Sequence, residues 1–326
     1  MAGSFGASQT RAAPGKHPNI AVYAALVGNL LVAATKFAAA AWTGSSSTLS
    51  EAFHSLVDTV NEVLLLYGIH RSRRPPDPKH TWGHGREIYF WSFVVAILVF
   101  AAGAGVSAYE GVQHLRAPEL VEDPFVVYAV LALSLAFESA SWVFAWRQFR
   151  SSNRVEGLLA AIRRSKDPAT FTVLLEDSAA VIGLLIALAS TAVSQLLEKP
   201  EIDAYGSLAI SVLLAAVAAL LARETKGLLI GEPADRTTTD LILRIANEEP
   251  GVVAANGVLT THLGPDQVTA SLSIEFEDGL RTPDIERAVS SIESKVRQEA
   301  PSVVLLFVKP QTPGAFDRAR AAWFVA

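Results

Sequence analysis

The chain has 326 residues, 51% apolar and only 18% charged, where a soluble protein carries about 25% charge. The apolar excess excludes an ordinary soluble enzyme and a disordered chain, and a net charge of -5 provides no electrostatic footprint for nucleic acid. Cysteine is absent, so disulfides, thiolate metal sites and cysteine nucleophiles are excluded, and any metal must be held by imidazole, carboxylate, carbonyl or water.

In chain order, residues 1–18 read as a short flexible tail. The apolar run that follows Ile20 is too long for the core of a signal peptide, and Trp42-Thr43-Gly44 is a poor cleavage site, so it reads as a retained first span. A helix needs about 20 mostly apolar residues to cross a bilayer. Six segments meet that length: 20–42, 48–70, 88–111, 124–146, 169–196 and 203–225. The expected membrane domain is 19–227.

Loop charge sets the orientation. Arg71, Arg73, Arg74, Lys79 and Arg86 lie between spans two and three, and Arg147, Arg150, Arg154, Arg163, Arg164 and Lys166 between spans four and five. The opposite loops hold only Arg116 and Lys199. Basic loops stay on the cytoplasmic side, so both termini are expected there. A bacterial inner membrane is the expected location, since no long Arg/Ser-rich transit segment precedes span one.

From about residue 230 charged residues become frequent, and 232–311 reads as a small α-β-β-α-β domain. Thr239–Asn247 is an amphipathic helix that stops at Pro250-Gly251. Val252–Thr260 and Val268–Phe276 alternate as strands around the turn Gly264-Pro265-Asp266. Thr282 as N-cap with Pro283 behind it starts a helix, whose face is marked by Ile285, Val289, Ile292 and Val296, and Val303–Val308 is a last strand. A core of this size favours burial against a partner. Residues 312–326 read as a loose tail. The fold class is thus an α-helical membrane protein with six transmembrane helices and a cytoplasmic, ferredoxin-like α+β domain.

Ionisable residues inside the spans carry the chemistry, because each costs about 2.5–3.5 kcal/mol at the middle of a spanning helix. Span two holds Glu51, His54, Asp58 and Glu62. His54 and Asp58 are four apart and share a face, so an imidazole and a carboxylate can meet one cation. The structural alternative is a polar stripe satisfied by neighbouring helices, or a helix that does not span the membrane at all. Span five holds Glu176 and Asp177 side by side. Adjacent helical residues diverge by about 100°, so one is expected to face an ion and the other to pair elsewhere. Lys36 in span one and Glu138 in span four are further costly residues, and an ion pair from Lys36 to a carboxylate would explain one of them structurally. Imidazole with carboxylates suits a borderline divalent ion: zinc, cobalt, iron(II) or manganese. An ordinary imidazole titrates near pH 6.5 and must be deprotonated to bind metal, so metal and proton compete for such a site. In the first basic loop, Asp77, His80 and His84 are spaced to converge on one tetrahedral ion, with solvated loop histidines as the alternative.

Two stretches, Leu49-Ser50-Glu51-Ala52-Phe53-His54-Ser55-Leu56-Val57-Asp58 and Asp77-Pro78-Lys79-His80-Thr81-Trp82-Gly83-His84-Gly85-Arg86, together with six spans and an αββαβ tail, resemble the cation diffusion facilitator family over nearly the whole chain. Glu51-Ala52-x-His54, Asn61 and Leu174-Leu175-Glu176-Asp177 after Asp167-Pro168 are most similar to a branch that holds a mitochondrial zinc transporter. The resemblance implies a homodimeric antiporter that exchanges zinc or a related divalent ion for protons, with no organic cofactor. It implies a transport site from spans two and five, two positions in each, four residues apart. His54 and Asp58 match the first pair and Asp177 the later position of the second. The earlier position is Val173, where many members have His or Asp. Glu176, Asn61 or water are candidates for the missing ligand, and its loss brings manganese, iron(II) and cobalt forward beside zinc.

The resemblance also carries over Asp77, His80 and His84 as a second metal site. It does not carry over the paired metals of the cytoplasmic domain, since the corresponding positions are Asn256, Ser273, Phe307 and Lys309. That domain is expected to dimerise without metal, through Phe307 and Lys309. Arg86 matches a basic residue that pairs with an acid beyond span six in some relatives. Ile230 occupies the aligned place, so Glu232 or Asp235 would substitute. The expected function is efflux of a divalent metal from the cytoplasm, by alternating access and driven by protons. The rivals are a membrane-anchored metal sensor and an intramembrane hydrolase, although no His-Glu-x-x-His or Gly-x-x-x-x-Gly-Lys-Ser/Thr motif occurs.

Overall fold

The computed structural model describes residues 19–43, 46–118, 124–152, 161–162 and 164–324, without the side chains of 19–21, 39–40, 42–43, 46–54, 124, 151–152 and 323–324. The amino-terminal tail expected over 1–18 lies outside the described residues. The chain divides into two units at Ile230 and Gly231.

The first unit is helical: α1 (Asn19–Thr43), α2 (Ser46–Ser72), α3 (Glu87–Arg116), α4 (Pro124–Ser152), α5 (Pro168–Leu197) and α6 (Glu201–Ile230). Each coincides with one of the apolar segments read from the sequence. Among the described residues, four helices are both long and apolar enough to cross a membrane: Glu87–Arg116, Phe125–Arg150, Pro168–Leu197 and Glu201–Ile230. In α1 the apolar stretch is Val22–Ala38, while α2 is diluted by its acidic residues. The chain is therefore a multi-pass helical membrane protein.

Local chemistry sets the helix ends. Asp167 is extended at the N-cap of α5, with Pro168 in the first turn, where its missing N–H is not needed. Glu198 closes α5 in the left-handed region at φ 51°. Glu201 and Asp203 occupy the first turn of α6, where the helix dipole favours acids. Tyr89, Phe171, Leu174, Leu65 and Leu221 form the buried centre of this unit. Two glycines permit close helix contact: a Cβ on Gly68 of α2 would fall 2.7 Å from Trp91 Cβ of α3, and one on Gly103 would fall 3.2 Å from Leu214 Cδ1 of α6. Gly103 belongs to a π-helical stretch, Val99–Ala104, inside α3. Single π-turns of this kind recur where a helix lines a functional site.

The second unit runs α7 (Arg236–Asn247), β1 (Val252–Gly264), β2 (Gln267–Phe276), α8 (Thr282–Glu299), β3 (Val303–Pro310) and α9 (Pro313–Phe324). β2 is central, antiparallel to β1 and parallel to β3. Val268, Ala270, Leu272 and Ile274 alternate along β2 and pack on Ile242 and Ile245 of α7 and Ile292 and Val296 of α8.

β1 and β3 run on to Gly264 and Pro310, past the expected ends at Thr260 and Val308, and three helix boundaries of the second unit also differ from the sequence reading. α7 starts at Arg236 rather than Thr239, because Asp235 caps it, accepting from the Thr238 N–H at 2.7 Å. Thr282 is the first residue of α8 and Arg281 the cap, because the Asp284 carboxylate accepts the Arg281 N–H at 3.0 Å. The segment from Pro313, expected as a loose tail, is a helix. Its Phe316 ring seats on Gly257 of β1, where a Cβ would fall 2.6 Å from the ring. Gln311 just before it is tied down, donating its N–H to Ile274 O at 2.8 Å and accepting from Asn256 Nδ2 at 2.7 Å.

Candidate metal sites

Asp58, Asn61 and Glu62 recur at i, i+3 and i+4 on α2 and so form one stripe. They line a cavity of about 60 Å³ together with Asn29 of α1, Glu138 of α4, and Glu176 and Asp177 of α5. Val57, Val99, Gly103, Ala179, Ala180 and Leu214 complete the wall. A water needs about 10–15 Å³ of such space, so the cavity has room for a cation and several waters. His54 stands one turn before Asp58 on α2, and its side chain, like that of Glu51, lies outside the described residues.

The carboxylates are held by neutral donors. Ser141 Oγ donates to Asp177 Oδ2 at 2.8 Å, Asn61 Nδ2 to Glu176 Oε1 at 3.3 Å, and Asn29 Nδ2 to Glu62 Oε2 at 3.0 Å. Among the described residues, Asn61 Oδ1 and Glu176 Oε2 are buried and have no hydrogen-bond partner, which is the condition a bound cation or water relieves. Lys36 is buried and within electrostatic reach of Glu138.

Two points correct the sequence reading. Glu176 and Asp177 both line the cavity, although adjacent helical positions diverge. The longer glutamate side chain reaches back to Asn61 while the aspartate meets Ser141. Glu62, read from the sequence as part of the polar stripe of α2 but not among the proposed ligands, and Asn29, which was not a candidate, are 1% and 7% exposed at the cavity wall. Asn29 stands seven residues before Lys36, hence on the same face of an otherwise apolar helix. Val173, four residues before Asp177, is fully buried and lies outside the cavity lining.

The loop after α2 is built differently. Asp77 Oδ1 accepts the N–H groups of Lys79 at 2.8 Å and His80 at 2.7 Å, so the aspartate organises its own turn. His80 Nδ1 lies 3.1 Å from Asp77 Oδ1 and His84 Nε2 lies 3.0 Å from Asp77 Oδ2. The His80 N–H and the His84 ring hold the Asp77 carboxyl well below the usual carboxylate range. Gly83, at φ 81°, makes the bend that returns His84 to Asp77. Among the described residues this is the one group of three His, Asp or Glu side chains whose ligand atoms all lie within 4.8 Å of one another. The two imidazoles and one carboxylate fit a tetrahedral zinc-like ion with one open position.

In the second unit, Asn256 Nδ2 donates to Ser273 Oγ at 3.2 Å, and Ser273 Oγ to Gln311 Oε1 at 3.2 Å. Phe307 is 50% exposed on β3, and Lys309 pairs in register with Ser273. Arg86 occupies the cap position of α3, and the Glu232 carbonyl accepts the His262 N–H at 3.0 Å.

The chain matches the cation efflux transmembrane domain over residues 22–230. It is 36% identical over 264 residues to the mitochondrial proton-coupled zinc antiporter SLC30A9 of Xenopus laevis, covering 80% of this chain and 47% of that protein. The human protein of the same name is 34% identical over the same length, with 46% of it covered. The chain thus spans about half the length of these relatives. The cation-efflux pump FieF of Serratia proteamaculans is 26% identical over 297 residues, covering 87% of this chain and 92% of the pump. A transporter domain across all six helices removes the hydrolase reading: the chain belongs to the cation efflux family of membrane transporters.

Proposed function

We propose that this protein exports a divalent transition metal, zinc first, in exchange for protons, by alternating access through the cavity between α2 and α5. The observation that carries the reading is that Asp58 and Asn61 of α2 and Glu176 and Asp177 of α5 line one buried space. The names of the relatives in frog and human, proton-coupled zinc antiporters, support it. His54, Asp58 and Asp177 are the proposed ligands, with Glu176 and Asn61 filling the place that Val173 leaves. Acidic and imidazole groups in such a site take up protons when metal leaves, and that competition couples the two fluxes. Such a site binds its cargo reversibly and needs no covalent chemistry.

The proposal includes six membrane crossings, with α1 and α2 as the first two and the polar stripe of α2 turned to the cavity. The basic loops after α2 and α4 would face the cytoplasm, with both termini and the second unit there. The proposed location is a bacterial inner membrane, although the frog and human relatives are named mitochondrial. Asp77, His80 and His84 would form a second metal site on the cytoplasmic side. Two copies would pair through the second unit by Phe307 and Lys309 without metal, as the hydrogen-bonded Asn256, Ser273 and Gln311 suggest. Arg86 would pair with Glu232, since Asp235 is used as a helix cap.

A harder cargo is the second reading, favoured by the apolar Val173 where an imidazole would soften the site. Flux in proteoliposomes with an imposed pH gradient, run with Zn²⁺, Mn²⁺, Co²⁺ and Fe²⁺, tests both. Proton-coupled flux is expected, and the ranking of metals decides between them. A folded protein that moves none of the four ions overturns transport in favour of a metal sensor.

A further inference from the structure

Glu87 opens α3 directly after the loop and has no part in the ligand sets above, yet its carboxylate is the meeting point of three elements. Oε1 accepts from Arg71 Nη2 at 2.7 Å and from Arg71 Nε at 3.2 Å, and Oε2 accepts from Trp91 Nε1 at 2.9 Å. Oε1 also lies 3.8 Å from His84 Nδ1. The His84 side chain is 6% exposed, and its other ring nitrogen, Nε2, is 3.0 Å from Asp77 Oδ2. The buried ring thus lies between two carboxylates, with Nε2 at hydrogen-bond distance from Asp77 and Nδ1 in longer electrostatic contact with Glu87.

An imidazole that gives one nitrogen to a metal commonly directs its other N–H at a carboxylate, which sets the tautomer, aims the ring and strengthens it as a ligand. From these distances the geometry points to Glu87 as the positioning carboxylate of the loop centre, directing Nδ1 of His84 so that Nε2 is presented to a divalent cation shared with Asp77 and His80. The inference rests on the proposed reading of that loop as a metal site. Glu87 is well suited to the role because Arg71 and Trp91 fix both of its oxygens. Arg71 closes α2, so the same carboxylate ties the loop centre to the helix that carries Asp58. Trp91 in turn packs edge-on against Tyr67 of α2, with ring centroids 4.9 Å apart.

The test uses the full chain in detergent with Asp58→Asn and Asp177→Asn, which leave the loop as the proposed cation site. Co²⁺ is the probe, read by titration and by its visible absorption band, which reports ligand geometry. Glu87→Gln keeps one acceptor oxygen, for Arg71, gives up the acceptor for Trp91 and removes the charge facing His84. It is expected to weaken Co²⁺ binding by about 10–100-fold and to alter the band, with Glu87→Asp recovering part of both. Wild-type affinity and an unchanged band in Glu87→Gln would overturn the inference and leave the loop site standing. Weaker binding with an unchanged band, equal in the Gln and Asp variants, would mark Glu87 as a mere staple between α2 and α3 and overturn it also. If the parent shows no Co²⁺ binding that Asp77→Ala removes, the loop reading itself fails and the inference with it.

Discussion

In the first loop, Asp77, His80 and His84 come from eight consecutive residues and already stand within 4.8 Å of one another. In the cavity, Asp58, Glu62, Glu138, Glu176 and Asp177 come from three helices and line one space, and no three described carboxylates close to that spacing. The loop is organised by short-range contacts: an aspartate accepting two backbone N–H groups, and one glycine bend. The cavity is organised by helix packing and by single amide or hydroxyl donors to its carboxylates. A set of ligands prepared in advance binds tightly because little ordering remains to be done. A looser set spread over several helices changes its spacing when the helices move. On the proposed reading the loop is built to hold an ion and the cavity to release one.

The largest expected effect separates the two sites. Asp58→Ala or Asp177→Ala should abolish proton-coupled metal flux in proteoliposomes, while Co²⁺ binding at the loop persists. Loss of loop binding in the same variants would mean that the two regions do not act separately.

Asp77→Ala should give the reverse. It removes a ligand and the acceptor of two backbone hydrogen bonds together, so loop affinity should fall by about 100-fold or more, beyond the effect of losing an outer partner. Flux should fall by a smaller factor. Equal losses in both assays would make the loop an obligatory step on the transport path.

Gly68→Leu sharpens the comparison through packing. A Cβ there meets Trp91 Cβ at 2.7 Å, and overpacking of this kind costs about 1–3 kcal/mol. The melting temperature in detergent should drop, and α3 should be displaced from α2. Loop Co²⁺ binding should weaken only a few-fold if local contacts organise the loop, and should collapse if helix packing does.

The smallest effect concerns acid. The Asp77 carboxyl titrates well below its ordinary value of about 3.9, because the His80 N–H and the His84 ring favour its charged form. For a group depressed in the folded state, the stabilisation is present above the unfolded value and is lost as pH falls through the lower, folded one. The amide resonances of Lys79 and His80 in metal-free protein should therefore hold steady through pH 4 and shift only in stronger acid. A shift centred near pH 4 would show that the carboxylate is not held by the turn.

The position of every membrane-domain helix, the order of elements in the second unit and the loop triad were legible in the sequence. Apolar runs follow from what lipid and core demand of each residue, and Asp77, His80 and His84 act over a few bonds of chain. Asp177 is visible as a costly charge in an apolar helix, and Asn61 only through the family resemblance. Asn29 is not marked by the sequence, because an asparagine costs less than a charge and its partner Glu62 lies 33 residues away. The helix from Pro313 was missed for the same reason: what orders it is Phe316 over Gly257, a contact between distant residues.

Where the chain is helical, which side chains are too polar for their surroundings and which family it belongs to can all be read along the chain, because they depend on local composition, spacing and motif. That Glu176 and Asp177 share one cavity, that Asn29 and Glu62 complete its wall and that Glu87 joins the loop to α2 emerge from the packed helices alone. Each is a meeting of side chains from separate helices, set by how those helices pack.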